Sequence, residues 1–294
     1  MEEYRGVAMQ PYVENVPEPP DCPYELLSEV GSGGWADVYR AIHPERPFEP
    51  VAVKVPKPGP VAKERFRREI DAMRRLDHVH LMPLIEASPK DEWYAMPLAD
   101  TTLRHFHAAN PADWDGLREA LSSACGALMH AHAHGIIHRD VSPDNLLAMK
   151  GPHWLLSDFG LVRISYAARS ITPMGAMFGV ADFAAPEVQR DPRAATPAAD
   201  IYSLGAIARW FTGISLNQTG LSTRGRYWSQ FIDCTMALNA EDRWSLAEAA
   251  YHLANSPVEK VLSPTSFGSL PCLRCGGGID TAGRCLRCGQ LDEG

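Results

Sequence analysis

The segment HRDVSPDN (residues 138–145) places a carboxylate, Asp140, and an amide, Asn145, at the two ends of one short loop. A carboxylate can accept the proton of a hydroxyl. An amide oxygen suits Mg²⁺, a hard cation that keeps its own waters and takes only a few protein oxygens. A little further on, SDFG (157–160) supplies a second oxygen donor, Asp158. Each of these is an ordinary loop residue, and singly they decide nothing. Their meaning depends on the residues that precede them.

Upstream, VGSGGWADVYR (30–40) sets Gly31, Gly33 and Gly34 in a turn between two strand-like runs. Without a Cβ in the way, backbone N–H groups can approach a phosphate, although most such turns are simply tight hairpins. VAVKV (51–55) alternates with period two, so Lys54 shares a face with Ala52 while Val51, Val53 and Val55 face the other way. The next segment, AKERFRREIDAMRRL (62–76), has helical spacing: Phe66, Ile70, Met73 and Leu76 fall on one face, and Glu69 falls with them. A carboxylate on an apolar face is costly unless it meets a cation, and Lys54 is the candidate. The alternative is that Glu69 sits wet at the edge of the face. The arginines on the rest of the circumference read as a solvated face.

The order glycine turn, strand lysine, helix glutamate, HRD…N and DFG resembles the motif set of the eukaryotic-type (Hanks) protein kinases, in their bacterial serine/threonine branch, over residues 24–256. The resemblance implies an α+β, bilobal kinase fold: a small β-rich N-lobe with one key helix (about 24–97) and a larger helical C-lobe (about 100–256). It also implies ATP and Mg²⁺ as cofactors and a protein substrate phosphorylated on Ser or Thr. By the same resemblance Lys54 binds the α/β-phosphates and is held by Glu69. Gly31 and Gly33 cover the phosphates, with Val30 and Ser32 in the same run, and Val38 and Ala52 roof the adenine. Met96, in WYAMPLA (93–99), is the gatekeeper, and Ala99 gives the backbone donor to adenine. Asp140 orients and deprotonates the hydroxyl, and Asn145 and Asp158 hold Mg²⁺. Glu187 in AAPE (184–187) pairs with Arg243, and Asp200 in DIYSLG braces the catalytic loop.

The chain departs from that pattern at four positions. Ala36 replaces the third glycine of the turn, a mild change. Ser142 stands where serine/threonine kinases carry a lysine that reaches the γ-phosphate and ties to an activation-segment threonine. Val180 stands in that threonine's place, so the two losses match each other. Tyrosine kinases also lack the lysine but put an arginine two residues later, where this chain has Asp144. A missing electrostatic donor costs roughly two or three decades of rate. The nucleotide and metal residues are all present, so the expectation is a slow or specialised kinase. The alternatives are a nucleotide-binding pseudokinase scaffold and a small-molecule kinase. Arg139 is the residue that receives an activation-segment phosphate in the family. Ser165, Ser170 and Thr172 lie in the right stretch, and phosphorylation near Thr172 is expected to raise activity.

Working further outward, residues 1–23 read as a flexible leader, since PYVENVPEPPDCP (11–23) is rich in proline and acid. Helical patterns run over 115–134, 198–211, 227–238 and 246–253, with small strands at LLAM (146–149) and HWLLS (153–157). Residues 257–270 form a linker, and 271–294 a cysteine-bearing tail. In LMHAHAHGIIH (128–138), His130, His134 and His138 recur four apart, but His138 belongs to the catalytic loop, and the resemblance places the helix in the family's core, which argues against a metal site there.

That tail, CLRCGGGIDTAGRCLRCG (272–289), repeats C-L-R-C-G. Cys272, Cys275, Cys285 and Cys288 have the CxxC…CxxC spacing of a zinc ribbon, in which two tight turns present four thiolates to structural Zn²⁺. Two disulfides are the rival reading, disfavoured in a reducing compartment. So small a module has too little core to fold alone, so the metal supplies its stability. A docking partner or an autoinhibitory contact is the expected use of the ribbon. The composition, with 45% hydrophobic and 22% charged residues, is globular. A formal charge of −8 argues against general binding to nucleic acid or anionic membrane. With a polar, acidic beginning and no apolar run of membrane-span length, the expected location is cytoplasmic.

Overall fold

The computed structural model describes residues 16–149, 153–159, 163–164, 182–216 and 218–256. They divide into two compact units. The first holds the described residues up to Ile70 together with Leu84–Leu98, and the second holds Asp71–Pro83 and the described residues from Ala99 onward.

In the first unit β1 (Glu25–Ser32), β2 (Ala36–His43) and β3 (Arg46–Pro56) form a meander, and α1 (Pro60–Arg75) follows. Gly59, at φ 130°, makes the turn from β3 into α1, in a region that side chains avoid. β4 (Glu86–Ala87) and β5 (Tyr94–Pro97) complete an antiparallel sheet of order β1-β2-β3-β5-β4. The period-two reading of β3 explains its packing. Val53 joins Tyr24, Ala41, Trp93 and Ala95 in a small core flanked by Val51 and Val55. Ala52 and Lys54 are buried as well, and α1 contributes Phe66, Glu69 and Ile70 as buried residues, Phe66 stacking on Tyr94 at 5.2 Å. The described end of the leader is attached to this sheet: Trp93 Nε1 donates to the Pro20 carbonyl at 3.1 Å, and Cys22 packs beside Tyr24 and Leu26.

The second unit opens with β6 (Thr101–Thr102) and α2 (Leu103–Ala109), capped by the Thr102 hydroxyl, and continues with α3 (Trp114–Ala133). Then come β7 (Ile136–Ile137), β8 (Leu146–Met149), β9 (His153–Leu156) and β10 (Arg163–Ile164). β6, β8 and β9 form a three-stranded sheet, and β7 pairs with β10. α4 (Pro186–Arg190), α5 (Pro197–Thr212), α6 (Thr223–Thr235) and α7 (Leu246–Ala254) follow. Apolar residues surround α3, and Leu117, Leu121, Ala124, Leu128 and Ala131 are fully buried. α5 ends at Gly213 in a left-handed C-cap, and α7 begins with a reciprocal Ser245–Glu248 capping box.

The long helices match the apolar periods within a residue or two. α6 is displaced from the expected 227–238 because Ser222 caps it upstream, accepting from the Gly225 N–H, and the chain leaves the helix after Thr235. α2 and α4, of seven and five residues, are too short for a period to announce. Among the described residues, no helix is long and apolar enough to cross a membrane.

Candidate active site

In the first unit the strand lysine and the helix glutamate are in contact. Lys54 Nζ donates to Glu69 Oε1 at 2.8 Å and to Oε2 at 3.0 Å, and both side chains are almost wholly buried. Tyr94, the cross-strand neighbour of Lys54, donates its hydroxyl to Glu69 Oε1 at 2.8 Å. Tyr94 was not singled out from sequence: an aromatic residue in a strand reads as core, and the strand register that sets it opposite Lys54 is not written locally. The same register pairs Ala52 with Met96 and Val38 with Lys54, which groups the residues expected around a nucleotide base on adjoining strands.

The glycine turn joins β1 to β2, with Gly31 opposite Val38 and Ser32 opposite Asp37. Its tip closes through the Gly33 N–H to the Ala36 carbonyl at 2.9 Å. Gly31, Gly33 and Gly34 have no positive φ, so backbone conformation alone does not demand glycine here. What glycine provides is the absence of side chains. Val30, half exposed, lies just before the turn. A residue missed from sequence, Lys57, donates to the Gly33 carbonyl at 2.6 Å and sits 3.2 Å from Asp37. It places a second cation at the turn.

In the second unit the HRD segment is organised around Asp200, a fully buried carboxylate on α5. Its Oδ2 accepts the His138 backbone N–H at 2.9 Å and lies 2.7 Å from His132 Nε2, while Oδ1 accepts the Arg139 N–H at 2.8 Å. His138 is itself buried. Its Nε2 lies 2.9 Å from the Ser157 carbonyl, and its Nδ1 accepts the Asp140 backbone N–H at 3.2 Å. That pattern requires the neutral ring with its proton on Nε2. Burial pushes the His138 pKa down, against the opposing pull of Asp200, the Ser157 carbonyl and Asp158.

Asp140 and Asn145 are brought together by the loop between them. Asn145 Nδ2 donates to the Asp140 carbonyl at 2.8 Å, and the Asn145 N–H donates to the Ser142 carbonyl at 3.1 Å. The Asn145 carbonyl receives the Ser157 N–H at 2.9 Å and its hydroxyl at 3.2 Å, which ties the segment leading into Asp158 to the same loop. Arg139 and Asp158 hold left-handed backbone at φ 70° and 64°, a strained conformation for such side chains that the surrounding bonds enforce. Ser142 is buried, with Val141 beside it. Ala99, half-buried, leads into β6, and the next residue, Asp100, donates its N–H to the Ala148 carbonyl at 2.9 Å. Glu187 and Arg243 form a two-pronged ion pair at 2.7 and 2.8 Å.

Among the described residues, no group of three or more His, Cys, Asp or Glu side chains is arranged to hold a metal ion. The pair expected from sequence to hold Mg²⁺, Asn145 and Asp158, is smaller than such a group, as suits a cation that fills its shell largely with water and substrate phosphate. Since the side-chain nitrogen of Asn145 donates inside the loop, its side-chain oxygen is the atom that the expected metal role would use. Cys272, Cys275, Cys285 and Cys288 lie outside the described residues, as do Ser165, Ser170, Thr172 and Val180.

A family model described as the protein kinase domain matches residues 24–214, and the chain belongs to that family. Among curated proteins, it is 31% identical over 192 residues to the probable serine/threonine-protein kinase PknB of Lactococcus lactis, a match covering 63% of this chain and 30% of that protein. It is 34% identical over 197 residues to the DNA damage-responsive serine/threonine-protein kinase RqkA of Deinococcus radiodurans, covering 63% and 29%. It is 34% identical over 195 residues to the serine/threonine-protein kinase PknL of Mycobacterium tuberculosis, covering 64% and 48%. The chain spans less than half the length of each of these relatives.

Proposed function

We propose that this chain is an ATP- and Mg²⁺-dependent protein kinase that transfers the γ-phosphate to Ser or Thr hydroxyls. The observation that carries the reading is the buried Lys54 ammonium, held by both oxygens of Glu69. A buried cation fixed at one spot is a preorganised partner for phosphate, and building it costs the desolvation of two charges that a purely structural sheet has no reason to bear.

In this reading Lys54 binds the α/β-phosphates, and the backbone of Gly31–Gly33, flanked by Val30, closes over them. Val38 and Ala52 contact the adenine, Met96 shapes its pocket, and the Ala99 N–H donates to its ring. Asn145 and Asp158 hold Mg²⁺, which when bound neutralises phosphate charge. Asp140 accepts the proton of the attacking hydroxyl, its backbone held by the His138 ring and its carbonyl by Asn145. With Ser142 in place of a lysine, Lys54 is the main protein cation for the charge that develops on the transferred group.

The test is incubation of the parent chain and Asp140→Asn with γ-labelled ATP and Mg²⁺. Label on protein in the parent alone supports the kinase; label only on low-mass compounds favours a small-molecule kinase. A parent that binds nucleotide and transfers nothing is a pseudokinase scaffold, the reading that buried Ser142 favours. A cytoplasmic location is part of the same proposal; among the described residues Cys22, Cys125 and Cys234 are free thiols.

For residues 271–294 the proposal is a zinc ribbon ligated by Cys272, Cys275, Cys285 and Cys288, used to dock a protein partner. The paired CxxC spacing supports it. Metal analysis of the chain with and without 271–294 should give one zinc per intact chain and none after truncation. Equal metal content in both would refute the ribbon.

A further inference from the structure

The catalytic loop is attached to α2 by one residue, Arg104, at two levels. Its backbone N–H donates to the Pro143 carbonyl at 3.2 Å. Its side chain forms a fork: Nε donates to Asp144 Oδ1 and Nη2 to Asp144 Oδ2, each at 2.7 Å. The two residues so gripped, Pro143 and Asp144, immediately precede Asn145, whose own amide holds the Asp140 carbonyl. A two-pronged guanidinium–carboxylate pair fixes plane as well as distance, which a single hydrogen bond or a lysine does not.

The guanidinium also has an aromatic neighbour. It lies 5.3 Å from the Trp210 ring centroid on α5, and Trp210 meets Phe183 edge-on at 6.1 Å and His107 at 4.6 Å. The Asp144 bonds hold the Arg104 pKa above its already high value, with the Asp182 carboxylate adding to the same field. Arg104 therefore stays charged at every working pH. It meets both the catalytic loop, through Asp144, and Trp210, whose aromatic group includes Phe183, just before the AAPE segment.

We propose that Arg104 is a positioning residue of phosphotransfer: by clamping Asp144 it fixes the loop from Asp140 to Asn145, in a chain whose Ser142 and Val180 cannot form the usual lysine–threonine tether. This rests on the kinase reading of Asp140 and Asn145. An ion pair with both side chains roughly half exposed contributes little to overall stability. The two roles therefore separate cleanly in experiment.

The experiment compares the parent, Arg104→Gln, Asp144→Asn, the double variant and the reversed pair Arg104→Glu with Asp144→Arg in one labelled-ATP assay, with thermal melts alongside. Expected are a kcat reduced roughly ten- to hundredfold in each single variant, as for a misplaced catalytic group, with KM for ATP and the melting temperature nearly unchanged. The double variant should lose no more than either single one, and the reversed pair should regain part of the rate. Unchanged kcat in Arg104→Gln, or losses that multiply in the double variant, would overturn the proposal while leaving the kinase reading intact. A parent that transfers no label sinks both.

Discussion

Glu187 and Arg243 lie 56 positions apart in the chain and meet in a two-pronged ion pair of 2.7 and 2.8 Å. The arginine side chain is completely buried. Its remaining donors are spent on the carbonyls of Ala237, Ala198 and Leu238 at 2.8, 3.0 and 3.3 Å, so one guanidinium ties the start of α4 to the start of α5 and to the segment that follows α6. The Arg243 bonds hold the Glu187 carboxyl below the usual glutamate range.

Removing one partner of such a pair leaves charge and carbonyls uncompensated, and Arg243→Ala is expected to cost about 3–5 kcal/mol in urea unfolding. Arg243→Lys should recover little of it, because a single ammonium cannot serve two carboxylate oxygens and three carbonyls. Because the folded-state pKa of Glu187 is depressed, its contribution is complete above the ordinary value of 4.5 and is lost as pH falls from there through the folded value. The gap between parent and Arg243→Ala should therefore narrow toward the acid end of a pH series, by the share that Glu187 contributes. Parallel curves would refute the assignment.

His138 predicts a second pH effect in a higher window. Its ring is neutral because Nδ1 must accept from the Asp140 N–H, and burial pushes its pKa below 6.5. Burial also lowers His80, His130 and His252. Each takes up a proton more readily when unfolded, so stability is fully present above about pH 6.5 and falls as pH drops below it. Urea midpoints at pH 7.5 and 5.5 should differ in that direction, and His138→Gln should flatten part of the slope. An unchanged midpoint would remove the argument.

How much of this was legible in the residues differs between the two units. The β3 alternation and the α1 face are periodic, so the meeting of Lys54 with Glu69 could be anticipated from side-chain direction alone. Tyr94, Lys57 and Arg104 could not. Each is defined by a partner far along the chain: Glu69, the Gly33 carbonyl and Asp144. Their own neighbourhoods show only an aromatic strand residue, a lysine after a strand and an arginine in a helix of seven residues. The Asp200 knot was legible only through resemblance, since nothing local in DIYSLG says that its carboxylate accepts two backbone N–H groups from the HRD loop.

Tyr94 offers a test of that missed layer. Its hydroxyl donates to Glu69 Oε1, an oxygen already receiving Lys54. Tyr94→Phe removes a donor from a buried carboxylate, and a loss of about 1–3 kcal/mol is expected. The ring and its stacking on Phe66 remain, so the fold survives. If the hydroxyl helps to fix Glu69 for Lys54, KM for ATP rises several-fold with kcat less affected; an unchanged KM would reduce Tyr94 to a core residue.

Lys54 and Ser142 should show unequal losses, and the order between them tests where the transition-state charge is met. On the proposed reading, a lysine at position 142 would be a second protein cation for the charge of the transferred group. Here Ser142 is neutral and buried, and Asp144, two residues on, is engaged by Arg104. Lys54→Met is therefore expected to lose at least roughly 10²–10³ in kcat, the scale of a removed electrostatic donor in a water-poor site. Ser142→Ala removes at most a neutral hydroxyl donor and should lose about tenfold or less, since neutral hydrogen bonds are about half as strong as charge-assisted ones. Rates must be normalised to folded protein, because Lys54→Met also leaves Glu69 buried without its ammonium. Equal losses would mean that the serine hydroxyl carries weight assigned here to the lysine. A Lys54→Met chain that kept full activity would show that phosphate charge is met by some other cation, with Lys57 at the glycine turn the first to examine.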